Sequence, residues 1–248
     1  MMNSQQNDFY SSISKYYHEI FPYNPAQLGF TAKNAEGLEG KRILDIGCAT
    51  GELAFQLAKA GAVVTGIDLN DDLLFQAKSK KILPGLSFQK GDMLELESDF
   101  SPHQFDAVLC YGNTLVHLSS DQKVYSMFRG VRQVLKQGGT FLVQILNYDY
   151  IISEKITQLP VIETPDVKFI RSYLIEDNNP VIKFRTELHI KKEDRVIYNE
   201  TPLLALHSHQ VKDLLSEAGF TDIFLFASFK EEPFGGKHLP LVLKAFSE

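Results

Sequence analysis

The sequence predicts an α/β fold, a doubly wound, seven-stranded, mostly parallel sheet with an antiparallel β-rich insertion. Three observations predict it. From residue 41 onward, short uninterrupted apolar runs alternate with amphipathic segments, as strands buried on both faces alternate with crossover helices. One run, Ile43-Leu44-Asp45-Ile46, passes directly into a Gly-containing turn and then a helical segment. Between residues 148 and 206 the period shifts to alternation broken by polar turns, the mark of antiparallel strands.

The elements follow in order. Phe9, Ile13, Tyr16, Tyr17 and Ile20 recur at helical spacing, predicting one amino-terminal helix over 8–20 that Pro22 and Pro25 end. Residues 42–47 read as the first strand and 52–60 as its helix, closed by Gly61. The second strand covers 63–68. Asn70 then caps a helix over 71–80, and Pro84-Gly85 turns the chain into a third strand, 86–90. A fourth strand covers 105–111. Ser119 or Ser120 caps a long helix with Val124, Met127, Phe128, Val131, Val134 and Leu135 on one face, and Gly138-Gly139 is expected to end it before a fifth strand, 140–146. Alternating stretches at 168–176, 181–191 and 195–206 are separated by Asp177-Asn178-Asn179-Pro180 and Lys192-Glu193-Asp194. A helix through Val211, Leu214, Leu215 and Ala218, capped by Ser208 and stopped by Gly219, precedes two closing strands at 223–229 and 241–246, expected as antiparallel neighbours. The chain thus divides into a helical cover (1–40), a core (41–147 and 207–248) and an inserted lid (148–206).

Composition narrows the partners. The 248 residues carry 25 Lys and Arg against 31 Asp and Glu, a net charge of −6, while nucleic acids and anionic membranes demand a concentrated positive field. The insertion holds 8 Lys/Arg and 10 Asp/Glu, so it offers no basic platform. A small molecule is the expected partner, with the chain a monomer or homodimer. The first ten residues lack the charged start and apolar core of a signal peptide, and no apolar run is long enough to span a bilayer, so a cytoplasmic location is expected. Two cysteines, Cys48 and Cys110, give no disulfide framework. In His207-Ser208-His209 the serine is better explained as a helix N-cap, so no metal is expected.

The turn after the first strand carries the chemistry. Such a turn lets a ligand approach the backbone and points free N–H groups at it. A dinucleotide fingerprint would place Gly at positions occupied by Gly47, Ala49 and Glu52, and Glu52 would meet a pyrophosphate with the wrong sign. Asp45 instead suits a ligand with a positive group. Asp68 ends the second strand beside this turn, where a carboxylate can accept the hydroxyl hydrogens of a ribose, and Asp92 ends the third strand with Met93 beside it. Each alone reads equally well as a strand-end cap; together they mark one edge of the sheet.

The ordered series LDIGCATG, GIDLN, KGDM, FDAVLCYGN and LKQGG resembles the motifs of class I S-adenosylmethionine-dependent methyltransferases, whose sheet is Rossmann-like. The resemblance covers residues 41–147 and resumes at 207–246, with Ala49 standing where a glycine is common. It implies that Asp45, Gly47, Cys48, Ala49 and Gly51 form the methionine and ribose side of the site. Asp68 with Leu69 takes the ribose, Asp92 with Met93 holds the adenine, and Cys110 lies where the fourth strand meets the cofactor. The insertion and the segment around Tyr17 are similar to those of small-molecule N-methyltransferases acting on glycine-type amines and amino sugars, with Tyr17 closing over S-adenosylmethionine. The implied reaction is methyl transfer to a small acceptor, most simply an amine nitrogen, leaving S-adenosylhomocysteine. O-methylation, an RNA or protein acceptor, or cofactor binding without transfer are the alternatives. A sulfonium methyl is already electrophilic, so positioning dominates catalysis. Tyr111, Asn113 and His117, just after the fourth strand, are the positioning candidates; for His117 a histidine satisfied at a helix start is an equal reading.

Overall fold

The computed structural model describes residues 4–80, 82–176 and 179–247. The first half of the turn expected at 177–180 therefore lies outside the described residues. In chain order the elements are α1 (Ser4–Ile13), α2 (Tyr17–Ile20), α3 (Pro25–Asn34), β1 (Arg42–Ile46), α4 (Glu52–Lys59), β2 (Val63–Asp68), α5 (Asp71–Lys80), β3 (Leu86–Lys90), α6 (Leu96–Asp99), β4 (Phe105–Cys110), α7 (Asp121–Val134), β5 (Leu135–Leu146), α8 (Tyr148–Ser153), β6 (Ile162–Glu163), β7 (Val167–Leu174), β8 (Val181–Ile190), β9 (Arg195–Leu204), α9 (Ser208–Glu217), β10 (Phe220–Phe226) and β11 (Pro240–Ser247).

Seven strands form the main sheet in the order β10-β11-β5-β4-β1-β2-β3, and β6-β7-β8-β9 form a separate antiparallel sheet. In the main sheet β11 alone runs against its neighbours, pairing antiparallel with both β10 and β5. The chain leaves β1 toward β2 and β3, then returns to place β4 on the other side of β1. This reversal opens a crevice at the carboxyl ends of β1 and β4, the place where such sheets take ligands.

The local chemistry explains most boundaries. Asn70 Oδ1 accepts the Leu73 N–H at 3.0 Å, and Ser120 Oγ accepts the Lys123 N–H at 3.3 Å, so both helices begin where a side chain satisfies an orphan donor. Gly61 follows α4 with φ 97°, a conformation that closes the helix and that glycine adopts at least cost.

Several boundaries differ from the sequence reading, among them β10, which begins at Phe220 rather than residue 223, and four have a clear local cause. The single helix expected over 8–20 is two helices joined by a 3-10 turn at Ser14–Tyr16. The Ser14 carbonyl accepts the Tyr17 N–H and also Gln76 Nε2 at 2.8 Å, so α5 braces the break. Pro25 starts a helix rather than ending one: it sits at the first position of α3, with Asn24 Oδ1 accepting the Ala26 N–H at 3.0 Å. Gly138-Gly139 does not end α7, which stops at Val134. Leu135 already pairs with Phe105 and Thr140 pairs with Ala107, so residues 136–139 bulge out of β5 with Gly138 at φ 72°. The residue that caps α9 is His207, not Ser208; its N–H donates to Gln210 Oε1 at 2.9 Å, and its Nδ1 lies 2.6 Å from Asp149 Oδ1.

Candidate active site

The turn between β1 and α4 is held by its neighbours. The N–H groups of Gly47 and Cys48 donate to the Ile67 carbonyl at 2.8 and 3.0 Å, fastening it to the end of β2. Gly47 has φ 73°, and a Cβ there would lie 2.6 Å from Thr114, so the loop after β4 packs directly on the turn. Ala49 also adopts a left-handed conformation, φ 49°, and its N–H donates to Asp68 Oδ2 at 2.9 Å. The other carboxylate oxygen of Asp68 accepts the Asn70 N–H at 2.9 Å. Asp68 thereby fixes both the turn and the start of α5.

Three adjoining cavities open above this edge. The first encloses about 570 Å³ and is lined by Tyr10, Tyr17, Asp68, Leu69, Leu73 and Met93 among others. The second, about 620 Å³, runs along the turn past Asp45, Cys48, Ala49, Thr50 and Glu52. The third, about 690 Å³, lies between α1, the loop after β4 and the antiparallel sheet, with Phe9, Phe21, Tyr173 and Phe184 in its walls. Gly112 lines all three, and a Cβ on it would meet nothing within 4 Å, so its backbone borders open space.

Of the residues read from the sequence, Tyr17, Asp45, Gly47, Cys48, Ala49, Asp68, Leu69 and Met93 line the first two cavities. Gly51, Asp92 and Cys110 line none of the three. Gly51 opens α4 at φ 73° with Phe88 against it, Asp92 Oδ1 accepts the Leu94 N–H at 3.0 Å, and Cys110 is buried in the core beneath the site. Tyr16 and Tyr17 diverge at the 3-10 break: Tyr16 packs into the core under the antiparallel sheet, whereas Tyr17 reaches the cavities.

The positioning candidates are more constrained than their spacing indicated. The Tyr111 hydroxyl is hydrogen-bonded to Thr31 Oγ1 at 3.1 Å. Asn113 accepts the Leu146 N–H at 2.9 Å and donates to the Tyr148 hydroxyl at 3.3 Å, so its amide braces the third cavity. His117 borders the first and third cavities; its Nε2 lies 2.8 Å from the Tyr10 hydroxyl, while Nδ1 is buried without a hydrogen-bond partner. Burial pushes its imidazole down to about 4, so it is neutral at pH 7.

Sequence reasoning missed Tyr10, Thr114 and Leu73. Tyr10 is the flank of a helix read for its apolar face, and Thr114 gains its place through a contact across the sheet that no local pattern encodes.

The carboxylates test what the site can hold. Burial, and secondarily Asp68, lift Asp45 to about 7, and burial lifts Asp68 as well despite its backbone donors. Among the described residues no Lys or Arg lines the first two cavities, so a cationic ligand would relieve both. S-adenosylmethionine, with a sulfonium and an α-ammonium, fits that charge, and the Leu73–Met93 slot fits a flat ring. Metal chemistry has no comparable donor set: among the described residues no three His, Cys, Asp or Glu converge. Nor is any helix among them long and apolar enough to cross a membrane.

Comparison with known proteins agrees with this geometry. Residues 43–139 match the family description of a methyltransferase domain. A protein of Geobacillus sp. (strain WCH70), provisionally named a methyltransferase, is 29% identical over 237 residues, 90% of this chain and 93% of the relative. The ubiquinone biosynthesis O-methyltransferase of Citrobacter koseri is 35% identical over 125 residues, half of each chain. An amino pentose methyltransferase of Micromonospora echinaspora, solved with S-adenosylmethionine bound, superposes with a TM-score of 0.71 at 17% identity over 96% of this chain and 97% of its own. Residues 43–139 are thus similar in sequence to a methyltransferase domain, and the sheet they lie in has the fold of solved methyltransferases, one of them with S-adenosylmethionine bound.

Proposed function

We propose that the chain methylates a small molecule bound in the third cavity, at an amine nitrogen that arrives uncharged. The observation that carries this reading is the cavity itself, walled by Phe9, Phe184 and Tyr173 and joined to the first cavity at Gly112 and His117. Bound S-adenosylmethionine supplies an electrophilic methyl carbon, whose bond pair returns to sulfur as the acceptor's lone pair forms the new bond.

The protein's own part is binding, orientation and exclusion of water. Asp45 would offer charge to the α-ammonium, Asp68 would accept from the ribose hydroxyls, and Leu69, Leu73 and Met93 would enclose the adenine. Tyr10 and Tyr17, which line the first cavity with their phenols kept protonated by burial, would shield a bound cofactor from water. An acidic third cavity would favour an amine and an apolar one weighs against it, so nitrogen over oxygen rests on the absence of a base there. Among the described residues no carboxylate lines it, and His117 is too weak a base to ionise an alcohol or phenol. A neutral amine attacks without prior deprotonation and sheds its proton afterwards. The same absence denies an ammonium its counterion, so low polarity selects the neutral form.

The O-methyltransferase relative favours oxygen as a second reading, but its match covers half of this chain. The test is a labelled methyl-transfer assay against paired amines and alcohols of equal size. Methyl should appear on amines, and Asp68→Ala should weaken S-adenosylhomocysteine binding at least tenfold, since it removes two charge-assisted contacts that shape the turn. Transfer to alcohols alone would overturn the nitrogen assignment; undiminished binding by Asp68→Ala would overturn the ribose role.

A further inference from the structure

Arg171 has no part in methyl transfer as described above, yet it lines the third cavity. It stands at the strand period of Val167, Phe169 and Tyr173, all buried, so it shares their inner face of β7. One terminal nitrogen donates to the Pro160 carbonyl at 2.8 Å, while Nε is buried with no hydrogen-bond partner. Three other cations of the same sheet are paired, Lys183 with Glu176, Arg185 with Glu200 and Lys191 with Glu163. Among the described residues no carboxylate pairs with Arg171. Burial lowers its pKa, yet a guanidinium remains charged at neutral pH. A half-buried, unpaired cation whose Nε is buried with no acceptor is costly, and such a group beside Leu159, Tyr173, Phe184 and Leu203 calls for an anionic partner.

We propose that Arg171 anchors a carboxylate on the methyl acceptor, which is therefore a small amino-acid-like molecule: an apolar or aromatic body with the carboxylate at one end and the nucleophilic nitrogen at the other. This rests on the third cavity being the acceptor site. The guanidinium fork matches a carboxylate in shape as well as charge. The aromatic walls accommodate the body, and Gly112 with His117 marks the end that borders the cofactor side.

The test is calorimetry on the full chain saturated with S-adenosylhomocysteine, using phenylacetate, phenylacetamide and 2-phenylethylamine as probes. Phenylacetate should bind at least tenfold more tightly than the other two. Arg171→Gln should erase that preference while S-adenosylhomocysteine affinity and the circular dichroism spectrum stay as in the wild type. Arg171→Lys, which keeps the charge and loses the fork, should lower phenylacetate affinity several-fold. No preference for phenylacetate, including no binding, overturns the proposal, as does a preference that survives Arg171→Gln. A fall in S-adenosylhomocysteine affinity in the folded Arg171→Gln protein also overturns it, by assigning the arginine to the cofactor's own carboxylate. Should Arg171→Gln fail to fold, the Arg171→Lys comparison decides alone. A labelled-methyl assay keeps the two readings apart. Transfer to amines without carboxylate preference sinks the Arg171 assignment only; carboxylate preference without any transfer sinks the methyl-transfer reading and leaves the anion site standing.

Discussion

With Asp45 proposed as the partner of the ligand's ammonium, its titration couples directly to binding. Its unfolded carboxyl ionises near 4, whereas in the ligand-free fold burial holds it to about 7, so its burial destabilises that fold increasingly as pH rises between those values. Pairing with an ammonium reverses the balance, because only the ionised carboxylate gains from the partner. Binding should therefore release a proton, and S-adenosylhomocysteine affinity should rise from pH 6 toward pH 8 and flatten above it. Titration calorimetry in two buffers of different ionisation heat measures both quantities. Asp45→Asn should remove the pH slope and weaken binding about tenfold, a single charge-assisted contact being worth roughly 1.5–3 kcal/mol. Affinity that falls with rising pH would refute the pairing. The sequence made Asp45, Asp68 and Met93 legible because each stands at the end of a strand. It could not show that the Tyr111 hydroxyl is taken by Thr31 or the Asn113 amide by Leu146 and Tyr148, since those partners lie 33 to 80 residues away.

At the scale of elements, periodicity located strands and helices well, and punctuation was the weaker guide. Glycine pairs and prolines signal a change of direction without saying which change. Gly138-Gly139 marks a bulge that lets β5 pair with β4 on both sides of it, and Pro25 marks a start because Asn24 caps the helix it opens. The β1 turn is the opposite case, its glycine readable from sequence and its contact partner not. Gly47→Ala should cost about 2–4 kcal/mol, combining the strain of a left-handed alanine with overpacking against Thr114. In a Thr114→Ala background, which removes the two atoms 2.6 Å from the new Cβ, the same change should cost only about 1–2 kcal/mol. Urea denaturation of the four proteins in this cycle measures the coupling. Simple additivity would mean that the turn and the β4 loop are not packed as described.

Taken whole, the molecule has an unexpected division. The amino-terminal cover and the insertion were read as separate pieces, yet Phe9, Ile13, Tyr16 and Ile20 share one buried cluster with Val167, Phe169, Leu188 and Ile190. Meanwhile α3 belongs to the main sheet, with Phe30, Ala35 and Leu38 packed in the cluster around β1 and α4. No sequence pattern could pair α1 with strands more than 150 residues later, because each amphipathic face shows only that it needs a partner. The consequence is that the roof of the site has its own core, attached to α5 through Asn70 with Asn7 and Ser11, and Gln76 with Ser14. A ligand held beneath Tyr10 and Tyr17 should then steady α1 and the antiparallel sheet as one unit. Hydrogen exchange with saturating S-adenosylhomocysteine should slow the amides of residues 4–20 and of β7 to β9 together, by similar factors, although β7 to β9 do not line the first two cavities. Ile13→Ala, which opens a void in that shared core, should abolish the joint protection of β7 to β9 while leaving the exchange of β1, β4 and α7 unchanged. Protection confined to α1 would mean that cover and insertion move independently and that the shared cluster does not couple them.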